Sequence, residues 1–510
     1  MKILDCTLRD GGYYTNWDFD KTLVDNYLEN TNKLPIDYLE VGYRSRPLKG
    51  YLGEYFYCPD YLLDYIRAKS NKKIVIILNE KEVLPEDLDF LLTPCIGKVD
   101  MVRIALDPAQ ISRAIELATK IKESFSFEVG FNVMYMSSWK SNPAFLDELT
   151  KINGLVDYFY MVDSYGGVYP SDVIELIQIV KSKTTVPLGF HGHNNLELGL
   201  INTLTAMENG VEILDATITG MGRGAGNLKT ELLLTALNTN KNLPVDFNAL
   251  SEVVDRFQEL QLHYKWGTNL PYMVSGSNSL PQKDVMDWVS NGTISFNSII
   301  RALQNQKAGI KDNEKFPLFE TDQTFKDIMI IGGGPSVSDH LLAIVHFLET
   351  NPATAIIHAS AKNAMYFQHL KNPQYFCLVG NEGNRLEKVF NDLSHFNGTC
   401  ILPPFPRKMG TYVPNAVKPY TNELKAIDFT DKYKESHTGI AIQIALSLHA
   451  ENLLLAGYDG YQQMAMNDKE KDLFNENQYL LAKATECVTI QSIVPTAYSV
   501  PLQSVYALII

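Results

Sequence analysis

The stretch VPLGFHGHNNLELGLINTLTAMENGVEILDATI, residues 186–218, contains the unit that decides the fold. Its two apolar runs, Val186–His193 and Val211–Ile218, predict β-strands. Between them, Leu196–Asn209 has the apolar spacing of a helix. A strand, a helix and a second strand in this order are typical of α/β folds.

The same alternation extends back to the start of the chain. Helical segments such as Pro108–Lys122 and Pro170–Lys183 separate the earlier apolar runs, and Asn227–Leu237 predicts a last helix. Eight strands alternating with helices predict a (β/α)8, or TIM, barrel over residues 1–240. The six earlier candidate strands are Ile3–Arg9, Tyr38–Tyr43, Lys73–Leu78, Met101–Leu106, Phe127–Met136 and Tyr158–Asp163.

A different pattern follows the barrel. Residues 241–311 predict a helical appendix, and the polar residues 312–326 predict a linker. Residues 327–510 again alternate apolar runs with helical segments, which predicts a Rossmann-like open α/β domain, parallel in its first half. Its candidate strands are Asp327–Ile331, Ala355–His358, Tyr375–Val379, Thr399–Leu402 and Asn452–Ala456.

The composition excludes several classes of protein. The 510 residues include 45 Lys and Arg against 59 Asp and Glu, a net charge of −14, and 45% are hydrophobic. The acidic balance argues against nucleic-acid and anionic-membrane partners. No apolar run approaches the roughly 20 residues of a membrane span. The N-terminus lacks the apolar stretch of a secretion signal, and the six cysteines form no CxxC pair, so we expect a cytoplasmic protein with reduced thiols.

The clearest chemical motif is His191-Gly192-His193, at the end of the seventh predicted strand. Residues i and i+2 of a strand face the same side, so both imidazoles would face the barrel mouth, where active sites of this fold lie. An isolated pair of this kind also occurs in ordinary packing. Arg9 and Asp10 at the end of strand one shift the balance, because two imidazoles and a carboxylate can hold a divalent ion with open positions.

Two further motifs lie at the same rim. Residues 220–227, GMGRGAGN, allow either a flexible loop or close backbone approach to a ligand, with Asn227 as a fourth metal ligand. Strand two contains Glu40, which either orients the Arg9 guanidinium or is an ordinary rim carboxylate.

Together TLRDGG (7–12), LEVG (39–42), HGHNN (191–195) and GMGRGAGN, in this order, resemble the DRE-TIM metallolyase superfamily, the group that includes hydroxymethylglutaryl-CoA lyase. The 4-hydroxy-2-oxovalerate aldolase branch is most similar, through Asn132 on strand five and Asp163-Ser164 on strand six. The resemblance covers residues 1–240. It implies a class II aldolase that forms a pyruvate-type enolate with Mn²⁺ or Mg²⁺, with Co²⁺ and Zn²⁺ as alternatives.

The resemblance also implies roles for individual residues. Asp10, His191, His193 and Asn227 would bind the metal, Arg9 would stabilise the enolate, and Glu40 would orient Arg9. The pyruvate aldolases of this group carry a histidine soon after the RDG motif, whereas this chain has Tyr13. Tyr13 is therefore either the proton carrier or an aromatic lid. The candidates for binding substrate are Arg103, Asn132, Asp163 and Ser164. Arg103 either reaches the pocket or lies in a buried ion pair.

The second domain carries one candidate ligand loop, Gly332-Gly333-Gly334-Pro335-Ser336. It either cradles a phosphate, with Gly332, Gly334 and Ser336 as cofactor-binding residues, or forms a tight turn with Ser336 as helix cap. With the later segments TG (438–439) and GYDG (457–460), it faintly resembles nucleotide-sugar-binding and pterin-kinase-like Rossmann proteins.

Three functions follow from the sequence. The first is an aldolase whose partners are a small 2-oxo acid and an aldehyde, with a homodimer left open. The second is a Claisen-type acyl transferase that condenses an acyl-CoA with a 2-oxo acid. The third is an inactive barrel that serves as a binding module, which the intact rim motifs argue against.

Overall fold

A computed structural model describes all residues except 292–293, 395 and 462–465. The chain forms two compact units, residues 1–287 and 288–510. The division falls within the stretch predicted as a helical appendix, and the predicted segment boundaries at 240, 311 and 326 stay predictions.

The first unit is a closed barrel of eight parallel strands in chain order, which confirms the predicted TIM barrel. The barrel closes where β1 pairs with β8, from Lys2 opposite Ile213 to Asp5 opposite Ala216. The strands are β1 (Lys2–Asp5), β2 (Tyr38–Tyr43), β3 (Lys73–Asn79), β4 (Met101–Leu106), β5 (Glu128–Val133), β6 (Tyr158–Asp163), β7 (Leu188–Gly192) and β8 (Ile213–Ala216).

Helices cover the outside of the barrel. Their buried faces and the outward-facing strand residues form the main apolar core, and a smaller cluster that includes Leu4, Met101 and Tyr160 fills the barrel interior. A last helix, Gln282–Asn291, crosses the boundary between the units. The other helices are Thr7–Thr15, Lys21–Thr31, Glu54–Tyr57, Asp60–Lys69, Leu88–Leu92, Ile111–Ser124, Pro143–Glu148, Pro170–Lys183, Gly199–Glu208, Thr230–Lys241, Phe247–Tyr264 and Leu270–Ser277.

The predicted strand Ile3–Arg9 is wrong beyond Asp5, because the chain turns into the helix Thr7–Thr15. The buried Asp5 carboxylate accepts hydrogen bonds from the Thr7 N–H (3.0 Å) and the Thr7 hydroxyl (2.5 Å). These bonds hold the start of the helix at the carboxyl end of β1. Arg9 and Asp10 therefore lie on the first turns of a helix at the barrel mouth.

The second unit is a seven-stranded sheet in the order β13-β12-β11-β10-β9-β14-β15. Every neighbouring pair is parallel, so the parallel arrangement extends beyond the first half of the domain. The strand order reverses between β9 and β14. The strands are β9 (Asp327–Ile331), β10 (Ala355–His358), β11 (Gln374–Cys377), β12 (Thr399–Leu402), β13 (Thr421–Glu423), β14 (Asn452–Ala456) and β15 (Thr489–Ser492).

The sheet of the second unit lies between two apolar clusters, one on each of its faces, to which the helices contribute buried side chains. These helices are Phe296–Ala308, Ser336–Asp339, Leu341–Thr350, Glu382–Phe390, His437–Ser447 and Asp468–Ala484. Within the described part of the chain, no helix is both long and apolar enough to cross a membrane. All six cysteines are free thiols, and only Cys487 is exposed.

Candidate active site

The rim motifs meet at the carboxyl ends of the barrel strands. The helix after β1 carries Arg9 and Asp10, β2 carries Glu40, and β7 ends in His191 and Gly192. His193 follows directly and forms a β-bridge with Asn227 of the glycine-rich loop. All six predicted metal and DRE-motif residues therefore face one mouth, which is the end where this fold places active sites.

Arg9 is fixed by two carboxylates. Its Nε donates to Glu40 Oε2 over 2.6 Å, and its Nη1 donates to Asp10 Oδ1. Burial would lower the pKa of Arg9, but Asp10 and Glu40 outweigh it and raise the pKa well above its usual value. The remaining Nη2 is buried without a hydrogen-bond partner. A charged guanidinium with one free buried donor is suited to an oxygen that becomes negative during a reaction.

A second buried arginine supports this arrangement from below. Arg103, on β4, donates to Glu40 Oε1 (3.2 Å), to Asp215 Oδ2 (2.8 Å) and to Asn132 Oδ1. Its side chain is 0% exposed, and the guanidinium stacks on the Tyr160 ring. Arg103 thus lies in a buried ion pair and holds Glu40 in place, and Asn132 Oδ1 completes the same network.

The hydrogen bonds of His191 fix which ring nitrogen is free. Nδ1 lies 3.0 Å from Asp215 Oδ2, and an ionised carboxylate only accepts, so Nδ1 carries the proton. Nε2 then keeps its lone pair and lies 3.7 Å from Asp10 Oδ2. Carboxylates that orient metal-binding histidines act in this way. Asp215 was not predicted as a site residue.

A hydrogen bond at Nδ1 also fixes the orientation of the His193 ring. Its Nδ1 lies 2.7 Å from the Asp163 carbonyl oxygen, which only accepts, so Nε2 again keeps its lone pair. Burial, with the neighbouring His191, lowers the pKa of His193 to about 3. The ring is therefore neutral near pH 7, the state in which histidine binds metals. The two imidazole rings are 5.1 Å apart.

Asp10 and Asn227 complete the set of donor groups. Asn227 Nδ2 donates to Asp10 Oδ2 over 2.6 Å, whereas Asn227 Oδ1 is buried with no partner. Burial acts to raise the pKa of Asp10, but Arg9 and the two histidines lower it overall. An ionised carboxylate, two imidazole lone pairs and an unpartnered amide oxygen are donor types that a divalent cation takes.

A second set of potential ligands overlaps the first. One donor atom each from Cys6, His191 and Asp215 lie within 4.8 Å of one another. This set uses His191 Nδ1, which is already bonded to Asp215. Burial, with Asp10, also raises the pKa of the Cys6 thiol well above its usual value, so the sulfur stays protonated. The Nε2 side of His191 is the better donor on both counts.

The glycine-rich loop is held rigidly. Gly226 has a φ of +77°, and a Cβ there would lie 2.2 Å from the Gly220 carbonyl oxygen. The Asn227 N–H donates back to that oxygen (3.1 Å), and the Asn194 N–H donates to the Gly226 carbonyl (2.9 Å). Glycine is thus required for a tight turn that fixes Asn227, and the loop is not a loose connection.

Asp163 and Ser164 mainly hold the loops around the mouth. The Asp163 carboxylate accepts from the Gly167 N–H (3.1 Å) and the Val168 N–H (3.4 Å), and burial raises its pKa to about 7. Ser164 Oγ accepts from the Tyr135 N–H over 2.8 Å. Both side chains are thus engaged by backbone groups rather than directed freely into the mouth.

Tyr13 lies at one side of the mouth. Its hydroxyl is 3.2 Å from the Tyr43 hydroxyl, and its ring packs against the edge of Trp17. The Arg223 guanidinium lies 4.1 Å from the centre of the Tyr13 ring. Tyr43 and Arg223 were not predicted as site residues.

The predicted phosphate loop of the second unit is bonded within the protein. Gly332 and Gly334 donate their N–H groups to the carbonyls of Ala456 (2.8 Å) and Gly457 (2.9 Å). The Ser336 N–H donates to Asp459 Oδ2 (3.1 Å), and Ser336 Oγ accepts from the Gly457 N–H, so Ser336 does not cap the helix. These amides are not free to cradle a phosphate.

A surface cavity of about 460 Å³ opens at the opposite end of the barrel. It is lined by charged groups that are already paired, Arg67 with Asp100 and Lys73 with Glu128. The amino ends of barrel strands usually serve stability, and we assign this cavity no chemistry.

Comparison with known proteins gives the same picture for the first unit. A family model described as HMGL-like matches residues 98–256. The 4-hydroxy-2-oxovalerate aldolase of Carboxydothermus hydrogenoformans is 33% identical over 250 residues, which are 46% of this chain and 70% of that protein. The oxaloacetate decarboxylase of Mycobacterium tuberculosis is 25% identical over 323 residues, covering 60% of this chain and 92% of that protein.

One solved structure is much closer in sequence. It is the N-terminal domain of a Bacteroides vulgatus protein described as an aldolase, with 60% identity and a TM-score of 0.57. The match covers 59% of this chain and 100% of that one.

Proposed function

The chain belongs to the HMGL-like family, and on that premise we propose that its barrel is a divalent-metal-dependent aldolase. The substrate is a 4-hydroxy-2-oxo acid, which is cleaved to or formed from pyruvate and an aldehyde through a pyruvate-type enolate. Relatives that carry an aldolase name support the reaction class, and the donor groups at the barrel mouth support the mechanism.

The observation that carries the proposal is the convergence of unpartnered polar atoms at one rim. Among the residues that the structure describes, Asn227 Oδ1 and Arg9 Nη2 are buried without partners, and the hydrogen bonds of His191 and His193 engage Nδ1 and leave Nε2 available. Native proteins rarely leave buried polar atoms unsatisfied, so such a cluster indicates a ligand. Its composition, lone pairs beside one cationic donor, fits a metal ion and a bound oxyanion.

Asp10, His191 and His193 would hold the cation, with Asn227 as the fourth ligand. When bound, a divalent ion polarises a carbonyl oxygen as a Lewis acid. The mixed set of imidazole and oxygen donors suits Mn²⁺ as well as Mg²⁺, with Co²⁺ or Zn²⁺ as alternatives.

Arg9 would stabilise the enolate. Its free Nη2 donates to the keto oxygen of the substrate as that oxygen gains negative charge. Glu40 holds the guanidinium through Nε, and Arg103 and Asp215 hold Glu40 and His191 in turn. A donor that is already in place requires little reorganisation during the reaction, which is where preorganised sites gain most of their rate.

Tyr13 is the proposed carrier of the 4-hydroxyl proton. Its hydroxyl lies 3.2 Å from the Tyr43 hydroxyl, and no histidine precedes His191 in the sequence. Because a tyrosine hydroxyl is a weak base near neutral pH, a second candidate is the decarboxylation of a 3-carboxy-2-oxo acid. Loss of CO2 gives the same enolate without deprotonation of a hydroxyl, and it is the reaction named for the Mycobacterium tuberculosis relative.

Proton NMR of pyruvate in D2O tests the proposal. We expect the full chain with Mg²⁺, which does not broaden the signals, to exchange the methyl protons for deuterium. The matched sample is His193→Ala, which removes one Nε2 donor, and it should not exchange. Absence of exchange in the wild-type protein would contradict a pyruvate-type enolate and would shift attention to acyl-CoA condensation or to ligand binding alone.

A further inference from the structure

We propose that Arg223, together with the hydroxyls of Tyr13 and Tyr43, forms a subsite for a second anionic group of the substrate, so that the aldehyde partner carries a carboxylate. This inference rests on the proposed aldolase function and specifies its substrate class.

Arg223 differs from Arg9 and Arg103 in having no acidic partner among the residues that the structure describes. Arg9 pairs with Asp10 and Glu40, and Arg103 pairs with Glu40 and Asp215. Within the described part of the chain, Arg223 makes no ion pair, and its contact is with the face of the Tyr13 ring, 4.1 Å away. Its side chain is exposed. An unpaired guanidinium beside a reaction site is suited to bind a carboxylate through bidentate hydrogen bonds.

The position of Arg223 is fixed by its neighbours. A Cβ at Gly222 would lie 2.6 Å from Asn227 Nδ2, so the backbone there packs directly on a proposed metal ligand. On the other side, the Tyr14 hydroxyl donates to the Gly224 carbonyl over 3.3 Å. The side chain therefore projects from a held loop toward Tyr13.

The two tyrosines supply neutral donors next to this cation. Their hydroxyls lie 3.2 Å apart, so one donates to the other and one proton remains for a ligand. Burial raises the pKa of Tyr43 well above its usual value, which keeps that hydroxyl protonated. The one hydroxyl proton that remains and the Arg223 guanidinium form a donor set that complements a carboxylate.

Charge balance points the same way. The inner cluster has three carboxylates, of Asp10, Glu40 and Asp215, against two guanidiniums, which leaves one negative charge. A divalent cation would turn this into one positive charge, and the carboxylate of a 2-oxo acid would neutralise it. Arg223 lies outside this balance, so a second negative charge on the substrate would gain a partner there without leaving any group of the inner cluster uncompensated.

The subsite favours an aldehyde partner over a leaving carboxylate. A cation that binds the carboxylate to be lost as CO2 stabilises the ground state and opposes its loss. An aldehyde with a distal carboxylate keeps its charge throughout carbon–carbon bond cleavage. Arg223 can then bind substrate and product alike.

The test compares aldehydes matched in length but not in charge. The purified chain with Mg²⁺ and pyruvate is assayed for condensation with two pairs of aldehydes, succinic semialdehyde and pentanal, and glyoxylate and propanal. We expect at least one charged aldehyde to show a kcat/KM roughly 10- to 100-fold above its neutral counterpart, the range for a charged hydrogen bond. Arg223→Gln should remove this preference through KM, and Arg223→Lys should keep part of it.

Arg46→Gln is the matched control, because Arg46 is a half-exposed arginine after β2 that pairs with Asp87. It should keep the preference. A wild-type protein that exchanges pyruvate protons but shows no charge preference, or an Arg223→Gln variant that keeps it, would overturn the subsite and leave the aldolase proposal standing. A wild-type protein that does not exchange pyruvate protons would overturn both.

Discussion

The carboxyl ends of the barrel strands and those of the second sheet differ in whether their polar atoms have hydrogen-bond partners. At the barrel mouth, within the described part of the chain, Asn227 Oδ1 and one donor of Arg9 are buried without partners, and the hydrogen bonds of His191 and His193 leave Nε2 available. At the reversal of strand order in the second sheet, the amides of the glycine loop bond to the facing strand end. Both edges are the usual place for ligands in their folds.

The difference teaches that glycine content alone does not identify a ligand site. Both edges have glycine-rich loops, but the glycines serve a tight turn at one edge and close approach of two strand ends at the other. One atom of the second edge departs from this pattern, since Asp459 Oδ1 is buried without a partner. Unsatisfied buried atoms that converge are the better signal.

The largest expected effect separates two histidines with similar bonding. His193 in the barrel and His437 in the second unit both direct Nδ1 to a backbone carbonyl. We expect His193→Ala to lose tight Mn²⁺ binding and turnover, because it removes a proposed ligand. His437→Ala should keep both, as measured by isothermal titration and pyruvate exchange. Equal Mn²⁺ affinity in the two variants would show that the barrel histidines are not metal ligands.

The next effect separates two arginines. Arg9→Ala should lower turnover by about 10²- to 10³-fold, the usual cost of removing one oxyanion donor, while Mn²⁺ still binds. Arg385 pairs with Glu382 in the second unit, and Arg385→Ala should leave turnover unchanged. If Mn²⁺ binding is lost together with turnover in Arg9→Ala, Arg9 acts by holding Asp10 rather than on the substrate.

A smaller effect is expected beneath the rim. Asp215→Asn removes the carboxylate that keeps the proton on His191 Nδ1. Loss of such an orienting carboxylate typically lowers metal affinity by about 10- to 100-fold. Competition with a fluorescent chelator measures this change. The control is Asp87→Asn, because Asp87 pairs with Arg46 away from the proposed metal ligands. An unchanged affinity would indicate that His191 is held by packing alone.

The last prediction concerns the folding stability of the second unit, and we expect it to have the smallest effect on turnover. Burial lowers the pKa of His358 to about 4, whereas an unfolded histidine titrates near 6.5. As the pH falls from about 7 to 5, only the unfolded state gains this proton, so the folded state should lose roughly 2 kcal/mol of stability. Hydrogen–deuterium exchange of β10, corrected for intrinsic rates, measures the loss. His358→Asn should show a shallower dependence, and an equal slope would contradict the assignment.

Much of the fold could be predicted from apolar patterning. The bounds of β2, β4 and β6 agree with the prediction because these strands are buried along their whole length. The strands β13 and β15 escaped prediction, since Thr421–Glu423 and Thr489–Ser492 are short and carry polar residues. The turn after Asp5 also escaped, because it depends on a side chain bonding to the backbone.

Part of the candidate site could also be predicted from sequence patterns. The six rim residues occur in motifs with recognisable spacing, and the strand pattern predicts that they meet. Asp215 stands alone in the apolar run ILDA, and its only signal is a carboxylate inside a buried strand. Tyr43 and Arg223 had no such signal, because their significance comes from partners distant in the sequence.

Crystals of the full chain with Mn²⁺ and oxalate, a stable mimic of the pyruvate enolate, would test the central claim most directly. We predict an anomalous peak in direct coordination contact with Nε2 of His191, Nε2 of His193 and a carboxylate oxygen of Asp10. Arg9 Nη2 should contact oxalate. A peak among Cys6, Asp215 and Nδ1 of His191, or no peak in the barrel, would contradict the account.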